Sequence, residues 1–183
     1  MLHRAFILCL FMVYGFSPEA YGQAFMTESG HAEFDSSVPL HTFTGESDYL
    51  VGKINLDNSV VDFYLDVTTL KTGIGKRDKD MLETLEAEEY PFAEFYGKLT
   101  TPFDPENETP QKVTVEGEFT IHGISRERSI EGTLKPTSEG LHLTSSWTIN
   151  IEDYDIEPPG ILFYRVSEQM DIRIEATLKP IEQ

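Results

Sequence analysis

The sequence predicts an all-β fold: an eight-stranded antiparallel barrel with a short helix between strands 3 and 4. Three observations predict it. Apolar and polar residues alternate with period two through most of the chain, as they do in half-buried strands. Nowhere does a strand pattern alternate with a helix pattern in the βαβ rhythm of a parallel sheet. One block, TGIGKRDKDMLETLEAEEYP (72–91), replaces the alternation with helical spacing.

The N-terminus is read first, because it sets which residues the fold contains. His3 and Arg4 precede an apolar run, residues 5–16 (AFILCLFMVYGF), followed by Ser17-Pro18 and the small residues Gly22 and Ala24. This is the pattern of a secretory signal peptide, residues 1–24, cleaved after Ala24. The run is too short for a spanning helix, and no other apolar stretch approaches that length, so no permanent membrane insertion is expected. The expected mature domain is residues 25–183, a single domain in the periplasm or secreted. Cys9, the only cysteine, falls in the removed segment, so the domain relies on its core rather than on disulfides. Its formal charge of −18 repels phosphate backbones, which argues against a nucleic-acid partner.

The strands follow in order. HAEFDS (31–36) and TFTGESDYLVGKINL (42–56) are strand-like without clean alternation. VVDFYLDVTT (60–69) sets Val61, Phe63, Leu65 and Val67 on one face, and FAEFYGKLT (92–100) sets Ala93, Phe95, Gly97 and Leu99. KVTVEGEFTIHG (112–123) is the clearest, with Val113, Val115, Gly117, Phe119 and Ile121 together. RSIEGTLKP (128–136) is weaker. LHLTSSWTINI (141–151) groups Leu141, Leu143, Ser145, Trp147, Ile149 and Ile151, and QMDIRIEATLKP (169–180) groups Met170, Ile172, Ile174, Ala176 and Leu178. Asp57-Asn58, His122-Gly123 and Ser138-Glu139-Gly140 supply turns. Eight such strands make a closed up-and-down, lipocalin-like barrel the simplest solution, with a two-sheet sandwich as the rival that periodicity does not separate. The opposite faces carry Asp62, Asp66, Glu94, Glu116, Glu118, Glu131, Asp171 and Glu175. So many carboxylates favour a soluble barrel with an apolar inside over a membrane barrel with a polar lumen.

In the 72–91 block, Asp78 is placed to cap a short helix. Met81, Leu82 and Leu85 then share a face, Glu83, Glu86 and Glu89 lie away from it, and Pro91 ends the segment. A helix this short must rest on something, and the open barrel end is nearest, so it reads as a lid. Arg77 is its cation placed to meet an anionic headgroup.

An eight-stranded barrel is either filled by its side chains or holds one small ligand. The inward faces mix Phe63, Phe95, Phe119 and Trp147 with Ala93, Gly97, Gly117, Ser145 and Ala176. Those small residues leave room for an elongated cavity, or else permit bends in the strands. A cavity so lined takes a long-chain apolar or amphiphilic small molecule, at about 0.8 kcal/mol per buried CH₂. It excludes sugars, nucleotides and ions for want of polar partners. The expected ligand-binding residues are Phe63, Leu65, Met81, Leu82, Leu85, Phe95, Phe119, Trp147, Ile172 and, on an apolar rim after Pro158-Pro159-Gly160, Phe163. The alternative is a filled lumen in a protein that works through its acidic surface, as an interaction or stress-protective module. An enzyme is not expected: there is no Gly-x-Ser-x-Gly, no His-Glu-x-x-His and no phosphate-cradling glycine loop, and His41, His122 and His142 stand apart. The sequence requires no metal and no organic cofactor. It is compatible with a homo-oligomer.

The pieces LVGKINLDNSVVDFYLDVTTLKTG (50–73), KRDKDML (76–82), YPFAEF (90–95), FTIHGISRERSIEGTL (119–134) and INIEDYDI (149–156) together resemble the YceI-like family of exported lipid- or polyisoprenoid-binding proteins. The resemblance implies an antiparallel eight-stranded barrel whose hydrophobic lumen takes a polyisoprenoid, an isoprenoid quinone or a fatty chain. The chain departs from the family at Arg77-Asp78-Lys79-Asp80, where the family often has Arg-Asp-x-His. It departs again at Glu152, where a basic residue often precedes the Asp-aromatic pair.

Overall fold

The computed structural model describes residues 23–38, 41–157 and 168–181. The strands are β1 (Ala24–Val38), β2 (His41–Asn55), β3 (Val60–Asp66), β4 (Phe92–Leu99), β5 (Gln111–Ile121), β6 (Ile124–Thr137), β7 (Gly140–Asn150) and β8 (Gln169–Pro180). The one α-helix among the described residues, α1 (Gly75–Thr84), lies between β3 and β4 as the spacing predicts. Each strand pairs antiparallel with its sequence neighbours, and β1 pairs with β8 to close a barrel in the order β1 to β8.

Alternation fixes which face is inside. Val61, Phe63 and Leu65 of β3 are buried between exposed or half-buried neighbours, and Phe95, Val113, Phe119, Leu141, Leu143, Ile149, Ala176 and Leu178 are buried on the faces expected for them. The β5–β6 hairpin has a two-residue turn, Ile121 facing Ile124, with φ of 54° at His122 and 70° at Gly123. Two left-handed central residues give the twist that joins antiparallel strands most tightly.

Three boundaries differ from expectation, each for a local reason. β1 begins seven residues before HAEFDS, at Ala24, because two register shifts near Gly30 destroy the alternation there. The third strand stops at Asp66, whose carboxylate accepts the Thr68 N–H at 2.9 Å and starts a 3₁₀ turn at Val67–Thr69. Asp78 is not the cap of α1: the helix begins at Gly75 behind Ile74, which makes no side-chain cap. Asp78 instead accepts from the Thr72 N–H (2.8 Å) and hydroxyl (2.5 Å), tying the first turn back to the loop before it. Those bonds hold its carboxyl below the usual range, with the Thr72 hydroxyl first among the causes.

The barrel is not equally closed along its length. β7 pairs with β6 only over 140–145, opposite 132–137, while residues 124–131 of β6 pair with β5 alone. On the opposite side, β3 pairs with β2 only over 51–55, and a lone bridge between Glu46 and Lys71 stands above it. The lower half is therefore a continuous ring. The upper half is two four-stranded walls, β3–β6 and β7–β2, facing each other. This settles the contest between barrel and sandwich: the ring closes, and the sandwich-like part is its upper half.

Candidate functional site: the barrel lumen

The lower end is sealed by Leu134, Leu141, Leu178 and Ile54, each at most 2% exposed. Above this floor runs a cavity of about 400 Å³, within the usual range for small-molecule sites. Its walls are apolar from nearly every strand: Leu50 and Ile54, Val61, Phe63 and Leu65, Ala93 and Phe95, Val115 and Phe119, Leu143 and Trp147, Ile172 and Ile174.

The small residues divide into two roles. Ala93, Gly132 and Ser145 line the cavity. Gly97 and Gly117 do not: they face each other across the β4–β5 ladder, so close that a Cβ on Gly97 would sit 2.8 Å from the Gly117 Cα and against the Glu116 carbonyl. Their absent side chains let two strands pinch together, which is the bend-permitting role rather than the cavity-forming one.

Helix α1 crosses the upper end. Its inward stripe is Arg77, Asp80, Met81, Thr84 and Leu85, the i, i+3/i+4, i+7/i+8 spacing of one helical face. Leu82 stands apart from the expected stripe. It packs against the core but does not line the cavity: successive helical residues lie about 100° apart, and the face turned to the lumen is the one carrying Arg77, Met81 and Leu85. Polar Asp80 and Thr84 take the places beside Met81 and Leu85. Glu83, Glu86 and Glu89 are exposed, as the lid reading expects. Arg77 is held over the Phe43 ring at 4.6 Å from its centroid, and one guanidinium N–H donates to the Thr72 carbonyl. Its Nε is buried without a hydrogen-bond partner among the described residues.

Across the lumen, the slot between the two walls is filled by side chains that the alternation did not single out. Tyr154 is fully buried, with its ring edge-on to Phe119, which is also edge-on to Trp147. The Arg128 guanidinium donates to the Tyr154 hydroxyl (3.1 Å) and to Asp153 (3.0 Å), which raises its pKa further. The Tyr154 carbonyl lies 3.0 Å from His122 Nδ1. Tyr154 is the aromatic of the Asp-aromatic pair in INIEDYDI, but its burial outside the alternating strands has no period-two signal.

A YceI-like domain profile matches residues 25–178. The chain belongs to the YceI-like family. Solved structures agree at the level of fold. A polyisoprenoid-binding domain from Saccharophagus degradans superposes with a TM-score of 0.73 at 15% identity, covering 87% of this chain and 99% of that one. Burkholderia cenocepacia BcnA gives 0.65 at 14%, covering 81% and 94%, and a Campylobacter jejuni YceI protein gives 0.62 at 17%, covering 80% and 90%. No functionally curated protein matches the sequence.

Of the residues expected to bind a ligand in this YceI-like barrel, Phe63, Leu65, Met81, Leu85, Phe95, Phe119, Trp147, Ile172 and Arg77 line one cavity. Phe163 and residues 1–22 lie outside the described residues. The outer face holds a cluster that alternation did not reveal, since it depends on register: Glu33 faces Glu46 across β1–β2, with His31 on the same face. Their ligating atoms lie within 4.8 Å of one another. Neighbours already engage two of the three: Arg173 bridges Glu33 and Asp35, and Asp48 bonds His31 at 2.7 Å and raises its pKa.

Proposed function

We propose that this protein is an exported, non-enzymatic binding protein that holds one long-chain amphiphile, such as a polyisoprenoid, an isoprenoid quinone or a fatty chain, in its lumen. The observation that carries the reading is the continuous apolar cavity, sealed at its floor and approached at the lid end. Burial of each methylene there contributes about 0.8 kcal/mol, so a dozen carbons gain ample free energy to offset the cost of ordering the chain. The fold shared with a polyisoprenoid-binding domain supports the same class of ligand. Arg77 stands at the mouth with a buried, unpaired Nε and meets the polar head of the ligand. Residues 1–24 direct the chain out of the cytoplasm, where it is released to the periplasm or beyond.

The test is to purify the protein natively from its own host, extract it with organic solvent and identify the extract by mass spectrometry. One chain lipid per protein is expected. A lipid-free protein that also takes up no added isoprenoid refutes the reading. N-terminal sequencing of the exported form, expected to begin at Phe25, tests the signal peptide.

A further inference from the structure

The lumen carries a polar feature that a hydrocarbon does not use. Trp147 lines it from β7, and its indole Nε1 is buried with no hydrogen-bond acceptor among the described residues. An indole N–H only donates, so the missing partner is an acceptor. The hydroxyls of Ser145, on the same face of β7, and of Tyr154, against the same Phe119 ring, are committed elsewhere. The Ser145 hydroxyl donates to the Glu131 carbonyl at 2.6 Å, the Tyr154 hydroxyl takes the Arg128 guanidinium, and Phe119 and Ile172 are hydrocarbon. A phenylalanine would fill such a place without leaving a buried donor unpaired, and unpaired buried donors are rare in native proteins.

Resting on the lipid-binding reading above, we infer that Trp147 is a specificity residue that donates its indole N–H to an uncharged oxygen acceptor of the ligand, a carbonyl or ester oxygen lying inside the lumen. The preferred ligand class is therefore a chain lipid with a neutral oxygen function at that depth, rather than a pure hydrocarbon. A carboxylate or phosphate does not fit there. The chain carries a net charge of −18, and the two guanidiniums described above are engaged, Arg77 on the lid over Phe43 and Arg128 on Tyr154 and Asp153.

Trp147 is the only tryptophan of the chain, so it reports on its own site. Three probes of equal heavy-atom count separate the possibilities: icosane, methyl heptadecanoate with a terminal ester, and octyl decanoate with an ester in mid-chain. Binding is followed by tryptophan emission, and the indole N–H by ultraviolet resonance Raman. In the unliganded protein the indole band should be that of a free N–H. At least one ester should bind about threefold to tenfold tighter than icosane, the worth of one net hydrogen bond, and shift that band to its hydrogen-bonded position. Trp147→Phe, with binding followed by calorimetry, should equalise ester and alkane. The Raman band of the unsubstituted protein decides the matter even where the variant does not fold. Equal binding of alkane and esters with an unmoved band overturns the inference and leaves the lipid-binding reading standing. So does an indole band already hydrogen-bonded in the free protein. Failure of all three probes to bind overturns the lipid-binding reading itself, and the inference with it.

Discussion

Placing a ring in the lumen should shorten the chain that the protein accepts. Ala93 is the place to do it: it lies on β4 opposite Leu65, near the lid end, and its side chain borders the cavity. In Ala93→Phe the new phenyl group occupies the room of about four methylenes in a space of about 400 Å³. Excluding four methylenes at roughly 0.8 kcal/mol each forfeits about 3 kcal/mol, a weakening of about 100- to 200-fold. That loss applies to a chain long enough to need the whole lumen. A short chain that fits beside the ring keeps its affinity. Binding of hexadecanol and decanol, read by tryptophan emission, should separate under the substitution, the first falling by about two orders of magnitude and the second by less than threefold. A folded Ala93→Phe protein that holds both alcohols as the unsubstituted protein does would refute the lumen as the binding site.

Two further predictions concern the frame around the lumen. In Gly97→Ala the new methyl meets backbone on β5, which cannot rotate away, so the substitution should cost about 1–3 kcal/mol and lower the urea midpoint accordingly. On the outer face, the Thr44 hydroxyl, and after it the Arg173 guanidinium, hold the Asp35 carboxyl below its ordinary value of 3.8. A depressed carboxyl stabilises the fold above its unfolded pKa, and that contribution is lost as pH falls through the folded pKa. Thr44→Val should therefore cost at most about 1 kcal/mol at neutral pH, since the pair is largely solvated. Chemical denaturation across a pH series should show the two proteins converging on acidification below the ordinary value. A gap that widens on acidification would reverse the sign of the argument.

Most of the barrel is legible in the alternation because burial on one face imposes period two on any strand with intact register. Phe63, Phe95, Phe119, Trp147 and Ile172 could be placed inward on that ground alone. What escaped the sequence depends on relations between distant segments. The start of β1 is hidden by register shifts against β2. The pinch at Gly97 and Gly117 exists only because the β4–β5 register brings the two glycines together. The start of α1 has no side-chain cap to announce it, so Asp78 looked like the cap, and Leu82, one step from Met81, joins the apolar face on spacing alone because the direction in which the helix faces the lumen is set by packing. Tyr154 fills a slot between strands that are not adjacent in sequence, and no local pattern marks it.

The slot that Tyr154 fills has a consequence for the shape of a molecule that the lumen could admit. Below it, the continuous ring of ladders fixes the circumference, so depth is a rigid gauge measured from the floor of leucines. Above it, hydrogen-bonded ladders cross neither of two opposite seams. One is spanned by the Glu46–Lys71 bridge and the lid arginine, and the other by Arg128 on Tyr154 and Asp153. Widening the mouth to admit a branched chain thus breaks a few contacts across the seams and spares every ladder within each wall. A bound chain would be gauged in length against the fixed base, and in girth against the two walls that rise from it.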